Sequence, residues 1–185
     1  MKLIVALTGA SGIIYGKRLL EVLKEKKIET HLIITDAAEK VAKHELSMAR
    51  KDLEKFADHV YSVDDLLAPI VSGSFKTDGM VIIPCSMKTL AGIAHGYAGN
   101  IVLRAADVML KEKRKLILVP RETPLGVIHL RNMLELAKYG ASIVPAMPAY
   151  YHNPKSIEDL VDFVVGKVLD SLGIEHKLFK PWPGQ

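Results

Sequence analysis

Short apolar runs recur along the chain, spaced so that a helix fits between successive runs, and this alternation limits the fold more than any other feature. Residues 2–7, 29–34, 79–83, 116–119 and 141–144 read as buried strands, with Pro84 ending the third. Helical periodicity fills the gaps. One helix spans about 12–26, with Ile13, Ile14, Leu19, Leu20 and Leu23 as its apolar face. Another starts at Thr35-Asp36 and carries Ala37, Ala38, Val41, Ala42 and Glu45. Further helices are expected over 86–94, 100–113, 125–138 and 156–172, with Gly140 and Gly173 closing the last two. Between 47 and 75 the pattern weakens to a short helix near 51–57, a short strand near 59–61 and a turn at Leu66-Leu67. Strands apolar along their whole length and separated by helices belong in a parallel sheet covered on both faces. The chain is therefore expected to form one Rossmann-like, doubly wound α/β domain over 1–174, followed by an irregular tail over 175–185.

A length of 185 residues suits one domain with a sizeable core. Cys85 is the only cysteine, so no intrachain disulfide forms, in keeping with a reducing cytoplasm. The apolar run at 3–7 is too short for a signal-peptide core, and no segment approaches a membrane span. The net charge of +4 suits anionic small molecules, but no basic stripe interleaved with aromatics points to nucleic acid.

In open α/β sheets, ligands bind beyond the carboxyl ends of the strands. Those ends carry Thr8-Gly9-Ala10-Ser11-Gly12, then Thr35, then Pro84-Cys85-Ser86-Met87-Lys88-Thr89, then Pro120-Arg121-Glu122-Thr123-Pro124, then 145–152 with Tyr150, Tyr151 and His152. All five are richer in glycine, proline, hydroxyls and charge than plain connectors. The first can present helix N–H groups to an anion, or be a tight turn with Ser11 as N-cap. It is neither a dinucleotide fingerprint nor a Walker A loop. Ser86 to Thr89 can surround a polar ligand or simply cap a helix, with Lys88 solvated. Arg121, between prolines, suits a phosphate or a flavin carbonyl, or pairs with Glu122. Glu45 reads on spacing alone as a surface carboxylate.

The seven histidines include no i, i+4 pair, and none stands at metal spacing from Cys85, so no structural or catalytic metal is expected. Ser11 lacks the elbow of a hydrolase nucleophile.

Taken together and in order, Thr-Gly-Ala-Ser-Gly at 8–12 with Tyr15-Gly16, Pro-Cys-Ser-Met-Lys-Thr at 84–89, Arg-Ala-Ala-Asp-Val at 104–108, Arg-Glu-Thr-Pro-Leu at 121–125 and Tyr-His-x-Pro at 151–154 resemble the flavin prenyltransferases. The resemblance covers nearly the whole chain. It implies that Gly9, Ala10, Ser11, Thr35, Ser86, Met87, Lys88, Thr89 and Arg121 bind FMN. Thr35 stands where serine is usual and keeps the hydroxyl. It implies that Tyr151 and Lys167 hold the phosphate of dimethylallyl phosphate, with lysine at 167 replacing a familiar arginine. Arg104, Lys111 and Glu122 match residues around that phosphate, and Glu45 matches the catalytic glutamate. The implied reaction joins the prenyl unit to N5 and C6 of reduced FMN without a metal, with Glu45, Ser11 or the departing phosphate taking a proton. A homo-oligomer, a dodecamer, is also implied, as is a client decarboxylase that uses the prenylated FMN, with a place in ubiquinone biosynthesis.

Two rivals remain. An FMN-dependent cysteine decarboxylase shares the fold, but its usual motifs carry asparagine where this chain has Pro-Cys-Ser-Met-Lys-Thr and Pro-Ala-Met-Pro. A non-catalytic flavin carrier would bind FMN without turning it over.

Overall fold

The computed structural model describes residues 1–182 and residue 184. Its sheet has six strands, all parallel, in the order β3-β2-β1-β4-β5-β6. These are β1 Lys2–Leu7, β2 Glu29–Ile34, β3 His59–Tyr61, β4 Gly79–Cys85, β5 Lys115–Pro120 and β6 Ser142–Ile143. Seven helices connect and cover them: α1 Ile13–Glu25, α2 Asp36–Leu46, α3 Arg50–Glu54, α4 Met87–Ala94, α5 Ile101–Lys111, α6 Val127–Lys138 and α7 Ile157–Leu172. The doubly wound parallel sheet expected from the sequence is thus the observed architecture, with the short strand near 59–61 as one edge.

Alternation along each strand divides the core in two. Leu3, Val5, Leu7, Val81, Ile83, Ile117 and Val119 face the layer of α1, α2, α3 and α7. Ile4, Ala6, Met80, Ile82, Leu116 and Leu118 face α4, α5 and α6. Every one of those strand side chains is buried, as a sheet covered on both sides requires. Helix α1 sits very close to the sheet at Gly16, where a Cβ would come 2.6 Å from the Ile83 carbonyl oxygen. Arg18 ties α1 to α7, its Nε 2.6 Å from Oδ1 of Asp162.

Several boundaries differ from expectation for local reasons. Strand β4 continues through Pro84 to Cys85, because the ladder to β5 shifts register between Ile82 and Cys85 and so needs no N–H from the proline. Helix α6 starts at Val127 because Gly126 is extended and its N–H donates to Nδ1 of His129. Helix α3 starts at Arg50, where the Asp52 carboxylate accepts the N–H of Ala49. Helix α1 is preceded by Gly12, with φ 100, rather than capped by Ser11. An L side chain is strained at that φ, which accounts for glycine at this position.

The tail has no regular structure through Trp182 but is packed down. The Phe179 ring lies 4.8 Å from Phe163, and Phe179 and His176 press on Gly166 of α7. Expectations for Pro183 and Gln185 lie outside the described residues. On α6, only Asn132 and Leu136 are buried, while Val127, Ile128, Leu130 and Leu134 are all more than half exposed. Among the described residues, no helix is long and apolar enough to cross a membrane.

Candidate active site

The strand order reverses direction between β1 and β4, and the crevice at that reversal is where an open α/β sheet takes its ligand. The tips here are laced together. Buried Thr8 donates its hydroxyl to the Pro84 carbonyl at 2.8 Å and accepts the Ser86 N–H at 2.8 Å. The N–H of Thr35 reaches the Leu7 carbonyl at 3.1 Å, and the N–H of Ala146 reaches that of Pro120, also at 3.1 Å. Arg121 closes the ring. Its N–H points to the Cys85 carbonyl, and its Nε lies 3.3 Å from the Ser11 carbonyl. Among the described residues Arg121 makes no ion pair with Glu122, whose carboxylate instead accepts the N–H of Thr123 at 3.0 Å.

Within this lacing lies a pocket of about 340 Å³, lined by Ser11, Gly12, Ile14, Tyr15, Glu45, Leu46, Arg121 and Ala146. Glu45 is exposed, as its spacing suggests, but it is not detached. Its carboxylate accepts the Gly12 N–H at 2.9 Å and the Ile13 N–H at 3.1 Å, so the N-terminus of α1 holds a carboxylate of its own chain. That position favours negative charge, because the first N–H groups of a helix lack partners within it. Tyr15 supplies an aromatic wall. Burial raises its phenol above the ordinary range, Tyr150 adds to the effect and Arg121 opposes it.

The other residues expected to hold the cofactor lie on neighbouring strand tips and helix starts, outside the pocket lining. Ser86 caps α4, accepting the Thr89 N–H at 3.2 Å, and its hydroxyl lies 3.0 Å from that of Thr89. Met87 is half-buried and Lys88 exposed on the same turn. Thr35 caps α2 through its hydroxyl, which accepts the Ala38 N–H at 3.2 Å. Ala10 is buried, and Gly9 is dictated by packing, since a Cβ there would collide with Ala37. Cys85 sits in the same tip but is fully buried, and burial pushes its thiol up to about 12, which makes it inert.

The residues expected to surround a donor phosphate do not line this pocket within one chain. Tyr151 and Lys167 line a separate, larger groove with His152, Asp159 and tail residues through Trp182, and the two cavities share no lining residue. Lys167 stands exposed at that groove, its Nζ 2.8 Å from Oδ2 of Asp170. Tyr151 is held by Trp182 and Phe163, whose rings meet it edge-on at 5.4 and 5.9 Å. Arg104 and Lys111 lie exposed on α5, and Glu122 is half-buried at the β5 tip.

Thr8 and Tyr15 are the residues that sequence reasoning left without a role. Both lie inside the motifs at 8–12 and 15–16, so the signal was present as position but not as chemistry.

The Ser11 hydroxyl, the Arg121 guanidinium and the Tyr15 ring line the pocket, with Ser86 and Thr89 at the adjacent β4 tip, and hydroxyls, a guanidinium and an aromatic ring are group types that suit a flavin mononucleotide. A parallel sheet with these groups at its reversal defines a cofactor-binding α/β protein, and the family model described as Flavoprotein matches residues 1–169. The flavin prenyltransferase UbiX of Methanocaldococcus jannaschii is 53% identical over 182 residues, covering 98% of this chain and 98% of the relative. The flavin prenyltransferase UbiX of Alkalihalophilus pseudofirmus is 56% identical over 188 residues, covering 96% and 94%. Among solved structures, AnUbiX (PadA1) in complex with FMN and dimethylallyl pyrophosphate superposes with a TM-score of 0.98 at 46% identity, covering 100% of this chain and 98% of the other. The dodecameric FMN-dependent UbiX-like decarboxylase of Escherichia coli O157:H7 superposes with a TM-score of 0.97 at 51% identity, with both chains covered fully. The chain belongs to the flavin prenyltransferase family. The peptidyl-cysteine decarboxylase EpiD, at 19% identity and a TM-score of 0.65, shares the fold alone.

Proposed function

We propose that this protein is a cytoplasmic flavin prenyltransferase. It joins the dimethylallyl group of dimethylallyl phosphate to N5 and C6 of reduced FMN and passes prenylated FMN to a client decarboxylase. The observation that carries this reading is the meeting of Ser11, Glu45 and Arg121 in one pocket at the sheet's reversal point. Gly9, Ala10, Ser11, Thr35, Ser86, Met87, Lys88, Thr89 and Arg121 hold the flavin. Once bound, reduced FMN supplies the electron-rich ring atoms. Glu45, with Ser11 beside it, accepts the proton released as the new ring closes. Tyr151 and Lys167 grip the donor phosphate, and Arg104, Lys111 and Glu122 complete its surroundings. Cationic and hydroxyl groups stabilise the leaving phosphate only where water is excluded. The pocket of one chain is open, so that exclusion comes from assembly into a homo-oligomer, a dodecamer, which also buries the apolar face of α6.

Mass spectrometry of the flavin after incubation with reduced FMN and dimethylallyl phosphate, in the presence of a chelator, tests the reading. A flavin heavier by one prenyl unit supports it. Bound but unaltered flavin would make the protein a carrier, and no flavin binding would remove the reading altogether.

A further inference from the structure

We propose that Glu29, His31 and His59 form a divalent-metal site that clamps edge strand β3 to β2. The site is separate from the flavin pocket and does not depend on the proposed activity. Glu29 opens β2, whereas Thr35 follows its far end, so at roughly 3.3 Å per residue the two lie about 20 Å apart.

Topology creates the cluster. Glu29 and His31 are two apart on β2 and so share a face, and His59 on β3 is the register partner of His31. The two imidazoles stack with centroids 4.5 Å apart and planes 19° from parallel. Both then present Nε2 to the same carboxylate oxygen, Oε1 of Glu29, at 3.1 Å from His31 and 3.5 Å from His59. One ligand atom from each residue falls within 4.8 Å of the others. In a tetrahedral zinc site with bonds of about 2.0–2.1 Å, neighbouring ligand atoms stand roughly 3.3–3.4 Å apart. The two separations from Glu29 Oε1 bracket that value, and a cation is seated once the stacked rings tilt to aim both Nε2 lone pairs at it.

The surroundings suit a ligand set as well. The Tyr61 hydroxyl lies 2.8 Å from Nδ1 of His31, the outer hydrogen bond that orients a metal-binding imidazole. Phe75 meets the His31 ring edge-on at 5.3 Å. His31 is buried, while Glu29 and His59 are open enough to admit an ion. Two imidazoles and one carboxylate, with one coordination position left for water, select a borderline cation such as zinc(II) over magnesium or calcium. Lys2 is the resident competitor, with Nζ 3.2 Å from the same carboxylate oxygen and 4.6 Å from the Phe75 ring centroid. Its side chain is 30% exposed and can swing into solvent. Neither an i, i+4 histidine pair nor a cysteine partner is involved, so a scan for those spacings passes over a cross-strand site.

Titrating tag-free, full-length protein with zinc(II) chloride by calorimetry tests the site, with cobalt(II) absorbance reporting geometry. One zinc per chain, the visible bands of tetrahedral cobalt(II) and a zinc-dependent rise in Tm are expected. His59→Gln and Glu29→Gln, both at solvent-accessible positions, should each weaken zinc binding about tenfold or more. Lys2→Ala should tighten it, and FMN binding should be equal in all variants. No saturable binding at millimolar zinc, or binding indifferent to both Gln variants, overturns the proposal. In that case a proton shared between His31 and Glu29 is all that joins them.

Discussion

Glu45 illustrates what a single side chain can hide. On spacing alone it is a surface carboxylate, yet it spans 33 positions to accept the Gly12 N–H at the head of α1. No periodicity encodes such a contact, because it exists only once β1 and β2 are paired. Glu45→Gln is expected to keep FMN binding while slowing product formation by about 100-fold or more, the usual range for losing a general base. The amide keeps one acceptor for the helix N–H groups, so the site should keep its shape. Flavin titration beside single-turnover kinetics checks this, and near wild-type turnover would return Glu45 to a capping role alone. Ser11 and Arg121 were readable because strand-tip position announces them. Thr8 was not, since a threonine ending an apolar strand looks like ordinary β propensity.

That same threonine matters at the scale of elements, because it joins the β1 and β4 tips. Thr8→Val removes the hydroxyl and leaves the Ser86 N–H without it, while the Pro84 carbonyl keeps the Thr8 N–H at 3.3 Å. A buried polar group left unsatisfied costs about 1–3 kcal/mol, so a clear fall in Tm is expected, with Thr8→Ser much milder. Equal Tm for Val and Ser would show that the lacing contributes nothing. Helix α7 offers a pH-dependent counterpart. Ser156 caps it, and Asp159 accepts the N–H groups of Lys155 and Ser156 at 2.7 and 3.1 Å. Those bonds hold the Asp159 carboxyl below its ordinary range. A depressed carboxylate stabilises the fold above its unfolded pKa, and that stability disappears as pH falls through the folded value. Asp159→Asn should therefore lower Tm at neutral pH, and the deficit should shrink below about pH 4. A deficit independent of pH would assign it to lost shape rather than charge. The helices and strands themselves were legible from the sequence to within a few residues, since apolar period and cap residues are local. What escaped was the continuation of β4 through Pro84, set by a register shift against β5, the start of α6 at Val127, set by the extended Gly126, and the glycine ahead of α1.

At the scale of the whole molecule, the outer face of α6 is anomalous for a helix that stays in water. Val127, Ile128, Leu130 and Leu134 lie exposed there, a patch of the kind that marks an interface. The double variant Ile128→Glu, Leu134→Glu should yield a smaller assembly by light scattering while retaining its helical content. An unchanged mass would place the interface elsewhere. Lys167 belongs at this scale too, because its groove and the flavin pocket have no residue in common. Lys167→Ala is expected to raise the KM for dimethylallyl phosphate and leave FMN affinity untouched, with Lys167→Arg tolerated. An unchanged KM would detach Lys167 from the donor.

The separation of pocket and groove also has a genetic reading. If a working centre takes its pocket from one chain and its groove from a neighbour, damage to the two features need not fall on the same centre. Chains carrying Glu45→Gln and chains carrying Lys167→Ala, each impaired alone, would then rescue one another on co-assembly. Some centres in the mixture would draw an intact pocket from one parent and an intact groove from the other. Two defective alleles of a single gene would complement in the same cell, whereas a chain that kept its whole centre to itself would show no such rescue.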